Sequence, residues 1–453
     1  MNVECRIEPL LSVILPSLNV GEYIDECLNS VVNQSLKDIE IIVVDAGSTD
    51  GTLEIARRYA ENDCRVKIIE SDKKSYGYQL NLGMSVAKGE YIGVVETDDY
   101  IESDMYEKLL KVAKAENADY VKGNAEMFLM RNGLKVTRNI ISVNDGNQEK
   151  IIVNPSQTPQ LWIDDAFLWT GIYKRNFVSK YHLRETPGAA FQDISFLYRV
   201  IGNATKGVYV PEIFYHYRQD NAGASSYDDR SMDFVCSEYN HIKNELEYHS
   251  LEWRYIYYRR LAIHILNRIN FMVYGGRYWE NARDSIELLQ KEIQFAIENR
   301  ILTADSFEKK DEWDDICTFL DNPRIVFENR LISFRERQDT RRNIVKELNR
   351  EHGWIVCGNR QEIEKISRGL LLFGMNICAV CDVDYNADEE DIYGYDVCRL
   401  EDAIRLFPKA GIIISSHYVD NIKLNICHDS IFTDLQKIFV LAETDIRLFT
   451  SGI

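Results

Sequence analysis

The sequence predicts an α/β protein with a mainly parallel sheet, followed by a helical region and a second, smaller α/β unit. Three observations carry this expectation. From residue 11 to about 100, short β-branched runs alternate with amphipathic stretches, the pattern of strands covered on both faces by crossover helices. From about 231 to 350 glycine is scarce, and segments such as DSIELLQKEIQFAIENR have helical spacing. Near 353 the alternation resumes for about 100 residues, enough to bury a core of its own. The expected division is therefore 1–230, 231–350 and 351–453.

Taken in order, LSVILP reads as a strand, and GEYIDECLNSVVNQS as a helix with Ile24, Leu28, Val31 and Val32 on one face. IEIIVVDA is a second strand, and DGTLEIARRYAEN a second helix with Asp50 placed to cap it. VKIIE is a third strand, a glycine-containing helix follows, and EYIGVVET is a fourth strand. Parallel sheets bind ligands where loops leave the carboxyl ends of their strands. Those ends are Pro16 to Asn19, Asp45 to Asp50, Glu70 to Lys74 and Glu96 to Asp99.

Composition excludes several classes. The 453 residues are 45% hydrophobic and 28% charged, as in ordinary globular proteins. A formal net charge of −19 argues against a nucleic-acid partner, whose phosphates require clustered Lys and Arg. No run approaches the roughly 18 apolar residues of a membrane span. MNVECRIEPL is not a basic region followed by an apolar core, so no secretory signal is expected. Ten scattered cysteines then read as reduced thiols in the cytoplasm. The Cys378/Cys381 pair, inside the apolar run NICAVCDVD, reads as core and not as half of a zinc site.

Asp45 follows IIVV, and Asp98 and Asp99 follow IGVVET. Singly, a helix cap or a turn accounts for each as well as a ligand contact does. Together they belong to a longer pattern: SVILPSLN at 12–19, SVVNQSL at 30–36, IIVVDAGSTDGT at 41–52 and NLGMSVAKGEYIGVVETDD at 81–99. This block resembles glycosyltransferase family 2, the inverting enzymes with the GT-A nucleotide-sugar fold. The resemblance continues to about residue 225 through LWTGIYKRNF, PGAAFQDISF and YHYRQDNAGASS. One departure is Glu96-Thr97-Asp98-Asp99, where the family usually has Asp-x-Asp-Asp.

The resemblance implies a UDP-sugar donor, a carbohydrate or lipid-linked acceptor, and Mg²⁺ or Mn²⁺ on Asp98 and Asp99. It sets Asp45 on the uracil N–H and Pro16, Ser17 and Asn19 around base and ribose, with Glu22, Ser48 and Glu96 as further donor contacts. Asp193 in FQDISFLYR is implied as the general base, although a helix cap fits it too. Arg218 is a candidate for the diphosphate and His216 for the metal; Trp169, Asp164 and Asp165 are candidates for the acceptor side. A role in bacterial surface polysaccharide synthesis at the inner face of the plasma membrane follows the same resemblance.

Residues beyond 350 resemble, more weakly, Rossmann-like domains of proteins that modify bacterial surface sugars. The shared features are a strand ending at Gly358, a helix, a strand ending at Asp382, and Tyr-Gly-Tyr at Gly394. The first loop, Gly358-Asn359-Arg360-Gln361-Glu362-Ile363, lacks two of three phosphate-loop glycines. Packing or homo-oligomerisation is the preferred reading over an NAD-dependent or nucleotide-sensing one. Between the units, Arg330, Arg335, Arg337, Arg341, Arg342, Lys346 and Arg350 outnumber Glu336, Asp339 and Glu347. A solvated helix face is preferred there to peripheral contact with an anionic membrane, because the apolar stripe is broken.

Overall fold

The computed structural model describes residues 9–131, 134–143, 149–188, 190–221, 230–248, 250–274, 282–348, 353–372, 374–382, 392–395, 397–415 and 438–441. The chain forms two compact units in place of the expected three parts. Met1–Met127 and Asn139–Arg330 make the first; Phe128–Arg138 and Leu331–Ile453 make the second. Most of the region expected to stand alone as helices therefore folds with the first unit.

The first unit begins with β1 (Leu11–Ser17), α1 (Ile24–Val32), β2 (Ile39–Asp45), α2 (Thr52–Asn62), β3 (Val66–Glu70), α3 (Tyr76–Val86) and β4 (Tyr91–Val94). β1 pairs in parallel with β2 and β4, and β2 with β3, so the C-terminal ends of all four lie along one edge. Every residue of β1 and β2 is buried, as their near-continuous apolar runs predict, Ser12 and Glu40 included. Gly89 lets the chain enter β4 tightly: a Cβ there would lie 2.5 Å from the Ser12 amide nitrogen.

The chain continues through β5 (Tyr100–Ile101), α4 (Met105–Glu116), β6 (Tyr120–Arg131), β7 (Leu134–Ile141), β8 (Ile151–Val153), α5 (Leu161–Asp164), β9 (Gly171–Lys174), α6 (Arg175–Lys180), α7 (Asp193–Asn203) and β10 (Gly207–Arg218). The sheet order is β3-β2-β1-β4-β9-β6-β10-β5, with β7 on β6 and β8 on β10. Past β4 the described pairings with β9, and of β10 with β5, are antiparallel. A parallel half thus joins a half whose described pairings are antiparallel, and β10 returns Tyr215 to Arg218 towards the residues that follow β4. Helices α8 (Ser231–Lys243), α9 (Leu251–Tyr274), α10 (Arg283–Glu298) and α11 (Lys310–Asp321) complete the unit. Their buried faces include Tyr239, Tyr257, Leu261, Ile265 and Ile293.

The second unit contains the C-terminal part of α12 (Pro323–Leu348), then β11 (Gly353–Gly358), α13 (Arg360–Leu372), β12 (Asn376–Asp382), β13 (Val397–Cys398), α14 (Leu400–Leu406), β14 (Gly411–Ser415) and β15 (Ile438–Leu441). Its sheet order is β13-β12-β11-β14-β15, and every pairing is parallel. In order of appearance that is 3-2-1-4-5, a doubly wound arrangement. Leu129 of β6 and Val136 of β7 are buried in the same core as Trp354, Val356, Ile366 and Leu370. The core cysteine reading agrees with the packing: Cys381 lies in an apolar cluster with Cys357, its Sγ 4.0 Å from that of Cys398.

Arg330 of the basic stretch forms an ion pair with Asp315, and Arg337 Nε donates to the Ser333 carbonyl at 3.2 Å. The side chains of Arg341, Arg342 and Arg350 lie outside the described residues, as do residues 222–229 of the motif after His216. No helix among the described residues is long and apolar enough to cross a membrane.

Candidate active site

Two loops leave the ends of β1 and β2 and are tied together by the polar residues singled out in the sequence. The Asn19 amide donates to Ser48 Oγ at 2.9 Å, and Asn19 Oδ1 accepts from the Thr49 amide at 2.9 Å. Asn19 holds φ at 52°, a left-handed turn that asparagine tolerates, and Gly47 holds 82°. Asp50 is not the expected cap of α2, whose N-cap is Gly51 with no side-chain cap bond; its Oδ1 accepts from the Thr52 amide and its Oδ2 from the Gly21 amide at 2.9 Å. Asn19 and Ser48 therefore latch the loops.

Asp45 sits where these loops part, 1% exposed. Its Oδ2 accepts from the amides of Gly47 and Ser48 at 2.8 and 2.9 Å. Its Oδ1 is buried with no hydrogen-bond partner among the described residues, and so is Ser17 Oγ. Buried polar atoms without partners cost about 1–3 kcal/mol each, so these two are suited to meet a ligand. The Pro16 carbonyl accepts from Thr97 Oγ1 at 2.8 Å, which joins the end of β1 to the segment after β4. Glu22 is exposed beside Tyr23.

A shelf of carboxylates follows β4. Asp99 Oδ2 accepts from the Tyr215 hydroxyl at 2.8 Å and Oδ1 from the Arg218 amide at 2.7 Å, so both oxygens serve the fold. Asp98 Oδ2 accepts from Asn221 Nδ2 at 2.7 Å. Glu96 Oε1 accepts from the Tyr76 hydroxyl at 2.8 Å. Burial, with Asp98 adding its charge, pushes the Glu96 carboxyl up to about 8. Burial also raises Asp98, and burial together with Asp98 and Glu96 raises Asp99 well above the usual range. Arg218 faces the shelf: Nε donates to the Asp98 carbonyl at 2.9 Å and Nη2 to Glu26 Oε2 at 2.5 Å.

A pH dependence follows from this crowding. A carboxyl whose folded pKa is raised keeps its proton in the folded state while the unfolded chain releases it. The folded state then binds more protons, and stability falls as pH rises from about 4.5 towards the Glu96 value of about 8. Thermal unfolding of the ligand-free protein should show a lower melting temperature near pH 8 than near pH 5, in the direction set by Glu96. A melting temperature that rose across that interval would contradict the proton balance.

Asp193 opens α7, half-buried, and burial raises its carboxyl above the usual range, against the lowering influence of Arg260 and Lys122. The helix-cap alternative receives no support: no side-chain cap bond is made at the start of α7, whose N-cap is Gln192.

Three expected placements are corrected. His216 does not join Asp98 and Asp99; its Nε2 lies 2.7 Å from Glu102 and its Nδ1 2.9 Å from Glu126, and the ring stacks on Tyr100. Strand alternation is the reason, since Tyr215 reaches Asp99 and its neighbour must face the other way. Trp169 is 2% exposed and stacks on Tyr215 at 4.2 Å, behind the shelf. Asp165 forms a buried ion pair with Lys122 at 2.6 Å and accepts from the Tyr209 hydroxyl, while Asp164 accepts from Gln160. Sequence reasoning missed Glu26, Tyr76 and Tyr215. No local signal marks them: alternation along YHYR puts Tyr215 and His216 on opposite faces without saying which face meets the carboxylates.

The family description "Glycosyl transferase family 2" matches residues 12–171. Glycosyltransferase GlyG of Streptococcus pneumoniae serotype 4 is 32% identical over 216 residues, which are 46% of this chain and 71% of that protein. The chain belongs to glycosyltransferase family 2. Another relative, the uncharacterized glycosyltransferase YibD of Escherichia coli K12, is 29% identical over 220 residues, 48% of this chain. The chain spans 63% of YibD, under two-thirds of its length. The solved structure of S. aureus TarS 1–349 in complex with UDP-GlcNAc aligns with a TM-score of 0.53 at 18% identity, covering 72% of this chain and 91% of TarS 1–349. This family 2 chain thus shares the GT-A fold of that protein.

Proposed function

We propose that the protein transfers a glycosyl group, with inversion, from a UDP-sugar to a hydroxyl of a carbohydrate or lipid-linked acceptor. The observation that carries this reading is Asp45: a buried carboxylate at the switch from strand to loop, one oxygen bound by the chain and the other without a partner. That arrangement suits the imino N–H of uracil. The TarS complex holds a UDP-sugar in the same fold, which supports the choice of nucleotide.

The donor set also fits a hard divalent cation. Mg²⁺ and Mn²⁺ prefer carboxylate oxygen and commonly take one or two protein ligands, the rest coming from substrate phosphates and water. Among the described residues no group of three or more candidate ligands assembles. Asp98 would hold the ion, because both Asp99 oxygens are already engaged. When bound, the ion neutralises charge gathering on the departing diphosphate. Arg218 supports the same charge, and Glu26 occupies the guanidinium edge that a phosphate would take. Asp193 accepts the proton of the attacking hydroxyl, one carboxylate being enough for inversion.

Titration calorimetry with UDP is the direct test. Saturable binding is expected with Mn²⁺ and much weaker binding in EDTA, and Asp45→Ala should weaken both. Equal affinity in EDTA would remove the metal from the reading, and unchanged affinity in Asp45→Ala would remove the uracil contact. A nucleotide site in the second unit is not favoured. The α13 N-terminus is already capped, Asn359 Oδ1 accepting from the Glu362 amide at 3.0 Å, and Glu362 brings negative charge to that turn.

A further inference from the structure

We propose that Arg260, carried by α9 outside the nucleotide-binding sheet, is the counter-charge of Asp193 and so a positioning residue for the proton-accepting step. This rests on the assignment of Asp193 as base. Arg260 is 3% exposed, and its Nη1 is buried with no hydrogen-bond partner among the described residues. No ion pair of Arg260 forms among the described residues, so its buried charge is balanced through space by the acids around it.

Geometry says where. The Arg260 guanidinium lies over the Trp162 ring, its Cζ 4.5 Å from the ring centroid. Trp162 is fully buried, and its Nε1 donates at 3.0 Å to the carbonyl of Ile194, the residue after Asp193. The indole is wedged by Tyr198, Tyr239 and Tyr257, with ring centroids 5.0, 5.9 and 6.3 Å away. One side chain from α5 thus fixes both the start of α7 and the height of the cation above it.

Charge accounting selects Asp193 as the partner. The acidic groups that most favour the charged form of Arg260 against its burial are the Tyr239 phenol, then Asp193, Asp165 and Asp164. Asp165 is already matched by Lys122 at 2.6 Å, and Asp164 accepts from Gln160 on the exposed side. Tyr239 shares its hydroxyl hydrogen bond with His264 at 3.0 Å; burial, Arg260 and Arg268 keep that imidazole neutral. Asp193 remains. Around it stand Lys122 from β6, Tyr76 from α3, Tyr173 from β9, Glu238 from α8, and Glu96 and Glu185 from loops. Burial raises all three glutamates, so they offer protons or repulsion but no positive charge. With Lys122 paired to Asp165, Arg260 is the larger of the two cationic influences that lower the Asp193 carboxyl against its burial, and so favour the ionised form that takes a proton. The helices after β10 therefore complete the chemistry of the first unit, beyond covering it.

The test compares Arg260→Met and Arg260→Lys, with Asp193→Asn alongside, for UDP release from UDP-GlcNAc and other UDP-sugars between about pH 5 and about pH 9. Arg260→Met should move the acid limb of kcat/KM up by about one pH unit or more, and Arg260→Lys should restore most of it. A second measurement needs no activity: melting of Arg260→Met in the parent and Asp193→Asn backgrounds. The loss should be larger near pH 8 than near pH 5 in the parent, and that difference should vanish once Asp193 is Asn. An unmoved acid limb, or equal losses in both backgrounds, overturns the proposal. Full turnover by Asp193→Asn would instead defeat the base assignment, while the melting comparison still decides whether the two residues are coupled.

Discussion

Asp193→Asn is expected to lower turnover by about 10²-fold or more, with the affinity for UDP nearly unchanged. The substitution keeps the size of the side chain and removes its capacity to accept a proton. Asp193 lies at the first residue of α7, away from the β1 and β2 loops that hold Asp45, so the nucleotide site should survive. Burial raises its carboxyl, which brings a base closer to the working pH, where proton transfer is most effective. Steady-state rates beside calorimetry of UDP separate the two effects. Weakened UDP binding equal to the loss in rate would place Asp193 in the donor site and leave the proton acceptor unassigned.

Asp98→Ala and Asp99→Ala should fail in different ways, although adjacent and alike in sequence. Asp99→Ala leaves the Tyr215 hydroxyl and the Arg218 amide without their acceptor in the interior. A stability loss of about 1–3 kcal/mol is expected, with Arg218 displaced and activity lost as a consequence. Asp98→Ala removes one contact, to Asn221, so melting should change little while Mn²⁺-dependent UDP binding is abolished. Thermal unfolding and calorimetry on both variants decide the matter. A fully stable Asp99→Ala that lost metal dependence would exchange the two roles.

Much of the first unit was legible in the residues themselves. Near-continuous apolar runs dictated β1, β2 and β4, because a parallel strand covered on both faces has no polar side to show. The loop DAGSTDG announced its turns through Gly47 and Gly51, which the chain holds at φ 82° and 96°. Asp45 could be placed at the ligand edge for the same reason: a carboxylate ending such a strand leaves the core where the strand does.

Partners distant in sequence were not legible, since neither periodicity nor spacing encodes them. His216 and Tyr215 are neighbours in the chain, yet pleating sends one to Glu102 and Glu126 and the other to Asp99. Only β10 lying beside β5 shows which is which. Domain limits failed similarly. Helical spacing between 231 and 350 indicates secondary structure, but the unit that buries each apolar face depends on what it meets in space, and the helices up to Arg330 pack within the first unit. Residues 128–138 belong to the second unit because Leu129 and Val136 find their burial there. The same holds for charge: the sequence displays Asp193 and Arg260 as two unrelated residues, and folding stacks Arg260 over Trp162, which bonds the carbonyl of Ile194, the residue after Asp193. Local sequence specifies which face of an element is apolar and which ends carry carboxylates; packing alone decides which charges are brought out of water together, and so which carboxylate can serve as a base.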